Sequence, residues 1–123
     1  MSYSDRQYFV KNNIEIAKKI NAYVLQNYNR TLTYEKLSEK FYIKITTMKN
    51  CYKSVYAETV NDTIIKKRLE VAANLLKDSS LSITEIALQV GYTDHSKFSN
   101  AFKKKYQLTP SEYKKMSEIA HSV

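Results

Sequence analysis

A chain of 123 residues is one ordinary domain or two small ones sharing a connection, and its single Gly and single Pro exclude Gly-rich phosphate loops, collagen-like repeats and turn-dense sandwiches. Its 43% of apolar residues, spread along the chain, can supply a thin core and argue against disorder. Twenty Lys and Arg against twelve Asp and Glu leave a net charge of +8 and a pI near 9.5, which suits a polyanionic partner, either nucleic acid or an acidic membrane surface.

Apolar spacing is helical throughout, and no strand is predicted. Ile16, Ile20, Tyr23 and Val24 form the stripe of a first helix, which Asn29-Arg30-Thr31 breaks. Thr33 is placed to cap a short helix with Tyr34, Leu37 and Phe41 inward. After an interruption at Tyr42 to Lys44, a further helix turns Met48, Cys51, Tyr52 and Val55 inward. Thr59, with Asp62 three residues on, caps what reads as the longest helix, buried along Val60, Ile64, Leu69, Ala72, Ala73 and Leu76. Asp78-Ser79-Ser80 ends it.

Ser82 and Glu85 make a capping box for a helix through Ile83, Ile86, Ala87 and Val90, and Gly91 stands where a left-handed C-cap belongs. Asp94 caps a helix carrying Phe98, Ala101, Phe102 and Lys105. Thr109-Pro110-Ser111-Glu112 opens the last helix with an N-cap, a proline at the first position and an acid at the third. The expected fold is all-α: about seven helices, with residues 1–58 as a first helix-turn-helix subdomain, 59–77 as a linker helix and 78–123 as a second subdomain.

The division rests on an internal duplication. Thr33, Tyr34, Leu37 and Phe41 correspond to Ser82, Ile83, Ile86 and Val90 at an offset of 49. Past the interruption the offset is 50: Met48-Lys49-Asn50-Cys51-Tyr52-Lys53 matches Phe98-Ser99-Asn100-Ala101-Phe102-Lys103, and Tyr56 and Thr59 match Tyr106 and Thr109. A cap, a short helix, a tight turn and a second helix form the minimal unit that puts a helix into a DNA major groove. Two copies are too few for a solenoid, which needs roughly three. A linking helix of roughly 17 residues spans about 26 Å. With its flanking turns it suits second helices about 34 Å apart, one turn of B-DNA. Copies that differ in sequence imply an asymmetric target read by a monomer.

The inward set of each second helix fixes its outward face. Thr46, Lys49, Asn50 and Lys53 face out in the first copy, and Ser96, Ser99, Asn100 and Lys103 in the second, flanked by His95 and Lys97. Lys40 to Ala57 and Lys97 to Lys105 each hold four lysines and no acid. Asn50 and Asn100, at equivalent places, are candidate adenine readers, and the lysines are candidate phosphate contacts. Neither helix has an arginine, so an adenine-rich site is expected.

Other features read more plainly. His95 either reaches DNA or covers a helix end, and His121 lies in a tail expected to fray. Two distant histidines and one cysteine suggest no metal site, and no cofactor is expected. Cys51 reads as a small buried residue that cannot form an internal disulfide. No nucleophile arrangement suggests an enzyme. The longest uncharged run, Ile20 to Asn29, is ten residues. A span needs about 20, so no membrane segment is expected. Charges at Asp5, Arg6, Lys11, Glu15, Lys18 and Lys19 argue against a secretory signal, and the chain reads as cytoplasmic.

From Leu81 to Lys115, Ile86-Ala87, Val90-Gly91-Tyr92, Phe98-Ser99-Asn100-Ala101-Phe102-Lys103 and Thr109-Pro110-Ser111-Glu112-Tyr113 resemble the signature of AraC/XylS-type bacterial transcription regulators. The resemblance extends from about Ile14 to Met116 and includes Lys67-Arg68-Leu69. It implies two helix-turn-helix units bridged by a helix, promoter binding as a monomer or pair, and activation through contact with RNA polymerase. The chain looks like the stand-alone type, without an effector domain. It departs from the family at Tyr42, where a turn glycine is usual, and at Asn50 and Asn100, where arginine is frequent. The expectation is a non-enzymatic, sequence-specific regulator of double-stranded DNA, an activator. The rival reading is a module that binds RNA polymerase or another regulator without reading bases.

Overall fold

The computed structural model describes residues 2–122, apart from the side chains at 8, 9, 121 and 122. The expectation for His121 falls outside these side chains. The described residues form seven helices and no strand: α1 Tyr3–Gln26, α2 Tyr34–Phe41, α3 Ile45–Tyr56, α4 Val60–Asp78, α5 Ile83–Gln89, α6 His95–Tyr106 and α7 Pro110–Ser122.

The caps are where the sequence puts them. Thr33 Oγ1 accepts from Lys36 N at 3.1 Å, and Asp94 Oδ1 from Lys97 N at 3.1 Å. Ser82 with Glu85, Thr59 with Asp62 and Thr109 with Glu112 are reciprocal boxes, in which each hydroxyl and each carboxylate accepts the other residue's backbone N–H. One expectation fails. The helix after Thr59 is not the longest, because α1 has 24 residues against 19 for α4. A capping box between Ser2 and Asp5 starts α1 well before the apolar stripe that marks it in the sequence.

The chain divides into two compact units. The first comprises residues 1–27 and Thr31–Ile64, and the second Tyr28–Arg30 and Ile65–Val123. In the first unit, Ala17, Ile20 and Val24 of α1 enclose a core with Leu37, Met48, Tyr52, Val60 and Ile64. Burying the aliphatic side chains and Met48 contributes about 1.5–3 kcal/mol each, Ala17 less. The Tyr52 hydroxyl is inside this core and fully satisfied. Asn21 Nδ2 donates to it at 2.9 Å, it lies 2.7 Å from Thr63 Oγ1, and Thr63 Oγ1 donates to Glu58 Oε2 at 2.6 Å. Because the single Thr63 proton goes to the carboxylate, Tyr52 donates to Thr63. The chain of donors ties α3 to both α1 and the start of α4.

In the second unit Leu69, Ala72, Ala73, Leu76, Ile86, Ala87, Val90, Phe98 and Phe102 are buried together. Phe102 stacks with Tyr106 at 4.7 Å and meets Tyr113 edge-on at 5.3 Å. Arg68 fastens the Tyr28–Arg30 segment to this unit. Its Nε donates to the Tyr28 carbonyl at 2.7 Å, its Nη2 to the Arg30 carbonyl at 3.1 Å, and its guanidinium lies 5.3 Å from the Tyr92 ring centre. Burial holds the guanidinium below its usual pKa, a shift the Tyr92 phenol opposes.

The two units repeat the same left-handed turns at equivalent helix ends. Tyr92 N donates to the Ala87 carbonyl at 2.8 Å and Gly91 N to the Leu88 carbonyl at 3.1 Å, a Schellman turn around Gly91 at φ 108°. At an offset of 49, Tyr42 has φ 52° and Ile43 N donates to the Ser38 carbonyl at 3.2 Å. At an offset of 50, Ala57 and Gln107 end their helices at φ 58° and 65°. Their N–H groups bond the Lys53 and Lys103 carbonyls, both at 2.8 Å.

Candidate nucleic-acid interface

In each unit the helix-turn-helix is built from the short helix, its left-handed turn and the helix that follows. For α3, burial of Met48 and Tyr52 turns the opposite face outward, and Thr46, Lys49, Asn50 and Lys53 are all exposed. For α6, burial of Phe98 and Phe102 exposes His95, Ser96, Lys97, Asn100 and Lys103. Ser99 differs from expectation. It is half-buried, next in the chain to the buried Phe98 and three residues before the buried Phe102. Its counterpart Lys49 is exposed.

Neither helix has an acid in its first turn. Lys44, at the N-cap of α3, offers no side-chain acceptor, so the first-turn N–H groups of α3 are not capped by that residue. Basic residues also occupy the last turns, Lys53 in α3 and Lys103, Lys104 and Lys105 in α6, where they complement the helix dipole. Lys105 also lies 3.8 Å from Glu70.

The first unit brings together residues that spacing alone does not join. Lys49 Nζ lies 4.6 Å from the Tyr34 ring centre. Burial pushes the Tyr34 phenol above its usual pKa, partly offset by a backbone hydrogen bond at Asn61. Tyr34, Lys49, Asn50, Lys53 and Asn61 thus line one cleft of about 340 Å³ against the start of α4. Thr59 lines it too, and Tyr34, Thr59 and Asn61 are polar lining residues outside the predicted set. The only hint of Tyr34 in the sequence is that its duplicate, Ile83, has no hydroxyl.

Cys51 is partly buried, with its thiol directed at the Met48 carbonyl at 3.5 Å. Burial raises its pKa, against hydrogen bonding at its own and the Tyr52 backbone, which lowers thiolate reactivity. Among the described residues no group of three His, Cys, Asp or Glu could hold a metal ion. No helix among them is long and apolar enough to cross a membrane.

Two helix-turn-helix copies, each with a polar and cationic second helix, define a tandem helix-turn-helix domain. Residues 37–116 match the family described as a helix-turn-helix domain. The transcriptional activator RhaS of Mannheimia succiniciproducens is 32% identical over 101 residues, which cover 82% of this chain and 38% of that protein. The regulator AlkR of Acinetobacter baylyi is 33% identical over 85 residues, 69% of this chain and 28% of AlkR. The C-terminal domain of AraT, a response regulator from Geobacillus stearothermophilus, superposes with a TM-score of 0.79 at 29% identity, covering 82% of this chain and 84% of that one. The DNA-binding domain of AdpA, solved with a target DNA, has the same fold, with a TM-score of 0.79 at 19% identity over 85% of this chain and 94% of that one.

The chain belongs to the AraC family and is its helix-turn-helix DNA-binding domain, from a family of transcription regulators and not of enzymes. It spans well under half the length of the curated relatives named here.

Proposed function

We propose that this chain is a sequence-specific regulator that sets α3 and α6 into successive major-groove segments of an asymmetric promoter site. One observation carries the reading. At an offset of 50, both helices expose an asparagine and a lysine, Asn50 with Lys53 and Asn100 with Lys103, on faces free of acids. Asn50 and Asn100 read adenine edges. Lys49, Lys53, Lys97 and Lys103 hold phosphates, while Thr46, His95, Ser96 and Ser99 make shorter contacts at the groove edge. Residues 1–58 and 78–123 act as the two reading subdomains and 59–77 as the link between them. One chain occupies one site, in the cytoplasm.

Membership of the AraC family and the AdpA complex with its target DNA support this reading. Relatives such as RhaS are named as activators, which favours activation here, through contact with RNA polymerase.

Salt dependence of duplex binding tests it. Log affinity should fall linearly with log salt, with a slope of about −0.9 for each phosphate neutralised. A flat response, or no duplex binding at low salt, contradicts groove reading and fits a module that binds protein alone.

A further inference from the structure

We infer that the N-terminal half of α1 is a docking surface for an acidic protein segment carrying a short apolar ridge. Only the C-terminal half of α1 enters the core of the first unit, through Ala17, Ile20 and Val24. The stripe through Val24 and Ala17 continues toward the N-terminus at helical spacing to Ile14, Val10 and Tyr3, which leave the core and are 38%, 57% and 75% exposed. Tyr3 is held along the stripe by a 2.8 Å hydrogen bond from Gln7 Nε2 to its hydroxyl. Single exposed apolar side chains need no explanation, but Val10 and Ile14 on adjacent turns, with Tyr3 in line two turns further on, make a shared apolar face.

Charge selects the occupant. This open helix face carries Val10 and Ile14, with Arg6, Lys11 and Lys18 beside them against one carboxylate, Glu15. A second copy lying along it would bring its own Arg6, Lys11 and Lys18 against these cations. A phosphate backbone would match the cations and leave the apolar row unused. A bilayer needs a broad apolar face, and the described side chains offer two aliphatic groups and one tyrosine ring. An amphipathic segment with apolar anchors at helical spacing and Glu or Asp on its flanks matches both the apolar side chains and the cations.

The test is a titration of the isotope-labelled full chain, followed by amide NMR, with three synthetic 16-residue peptides. The first has leucines at positions i, i+3, i+4 and i+7 flanked by glutamates. The second replaces its glutamates with glutamines, and the third replaces its leucines with serines. The first peptide should give saturable shifts centred on residues 6–18, and either change to the peptide should weaken binding about fivefold or more. Val10→Gln and Lys11→Gln, both at exposed positions, should weaken it likewise. The titration contains no DNA, so failure here is distinct from failure of the groove-reading proposal. The inference is overturned by absence of saturable shifts or by equal binding of all three peptides. It is equally overturned if Val10→Gln instead abolishes a concentration-dependent dimer, or abolishes binding to phosphatidylglycerol vesicles by a chain that ignores the peptides.

Discussion

The Arg68 guanidinium lies 3.0 Å from the position a Cβ on Gly91 would take, so the turn before α6 and the clamp on the Tyr28–Arg30 carbonyls share one space. Gly91 also has φ 108°, well outside what an L side chain adopts readily. Gly91→Ala must therefore strain the turn and displace Arg68 together. It should destabilise the second unit by about 2 kcal/mol or more, measured by urea unfolding followed at residues of that unit.

Tyr42 is the mirror case. It holds the equivalent left-handed position at φ 52° and is 95% exposed, so it carries a backbone cost without packing to offset it. Tyr42→Gly should stabilise the first unit by about 1 kcal/mol, even after the greater freedom of glycine in the unfolded chain is counted. A loss of stability in urea unfolding would show that the tyrosine ring contributes more than its exposure allows.

The donor chain through Tyr52 gives a double-mutant test. Tyr52→Phe leaves Thr63 and Asn21 without their shared partner and should cost about 1–3 kcal/mol. Thr63→Val removes the acceptor of the Tyr52 hydroxyl and should cost a similar amount. The double variant should cost clearly less than the sum, because both buried groups go together. Additive costs would mean that the hydroxyls do not act as a pair.

Glu112 supplies a pH test. Its carboxylate is held below the usual range mainly by the backbone N–H of Thr109 and then by the Thr109 hydroxyl, with a smaller opposing effect of burial. A depressed folded-state pKa means stability that is present above the unfolded pKa and lost as pH falls through the folded one. Unfolding of the second unit should therefore become easier as pH drops below the ordinary glutamate range. Glu112→Gln should flatten that part of the profile. An unchanged acid profile in the variant would assign the loss to other carboxylates.

Groove reading separates two kinds of contact. Asn100→Ala should relax preference at one or two base pairs, each worth about 1–3 kcal/mol of discrimination. Lys103→Ala should weaken all duplexes alike and lower the salt slope by about one. Equal, sequence-independent losses in both variants, measured on a panel of single-base substitutions, would remove Asn100 from the set of base readers.

The helices were legible because their signals are local. Ser82 with Glu85, Thr59 with Asp62 and Thr109-Pro110 state their caps within four residues, and the outward face of α3 follows from Met48 and Tyr52 by helical geometry alone. The left-handed turn at Tyr42 was legible only through its duplicate, since the residue type argues against it. What stayed hidden depends on partners far along the chain. The Tyr52 hydroxyl meets Asn21 and Thr63, and Arg68 meets the Tyr28 and Arg30 carbonyls, at separations of 31, 11, 40 and 38 residues. The half-burial of Ser99 and the seat of Lys49 over Tyr34 escaped for a related reason. A helical wheel gives direction, but not side-chain length or what stands beside it.

Hydroxyl-radical and methylation footprinting on a duplex selected from a random pool tests the central claim most directly. Two unlike sequences in adjacent major-groove segments, centred about ten base pairs apart on one face and occupied by a single chain, are the expected result. Protection confined to less than half a turn, or a palindromic site filled by two chains, would contradict it.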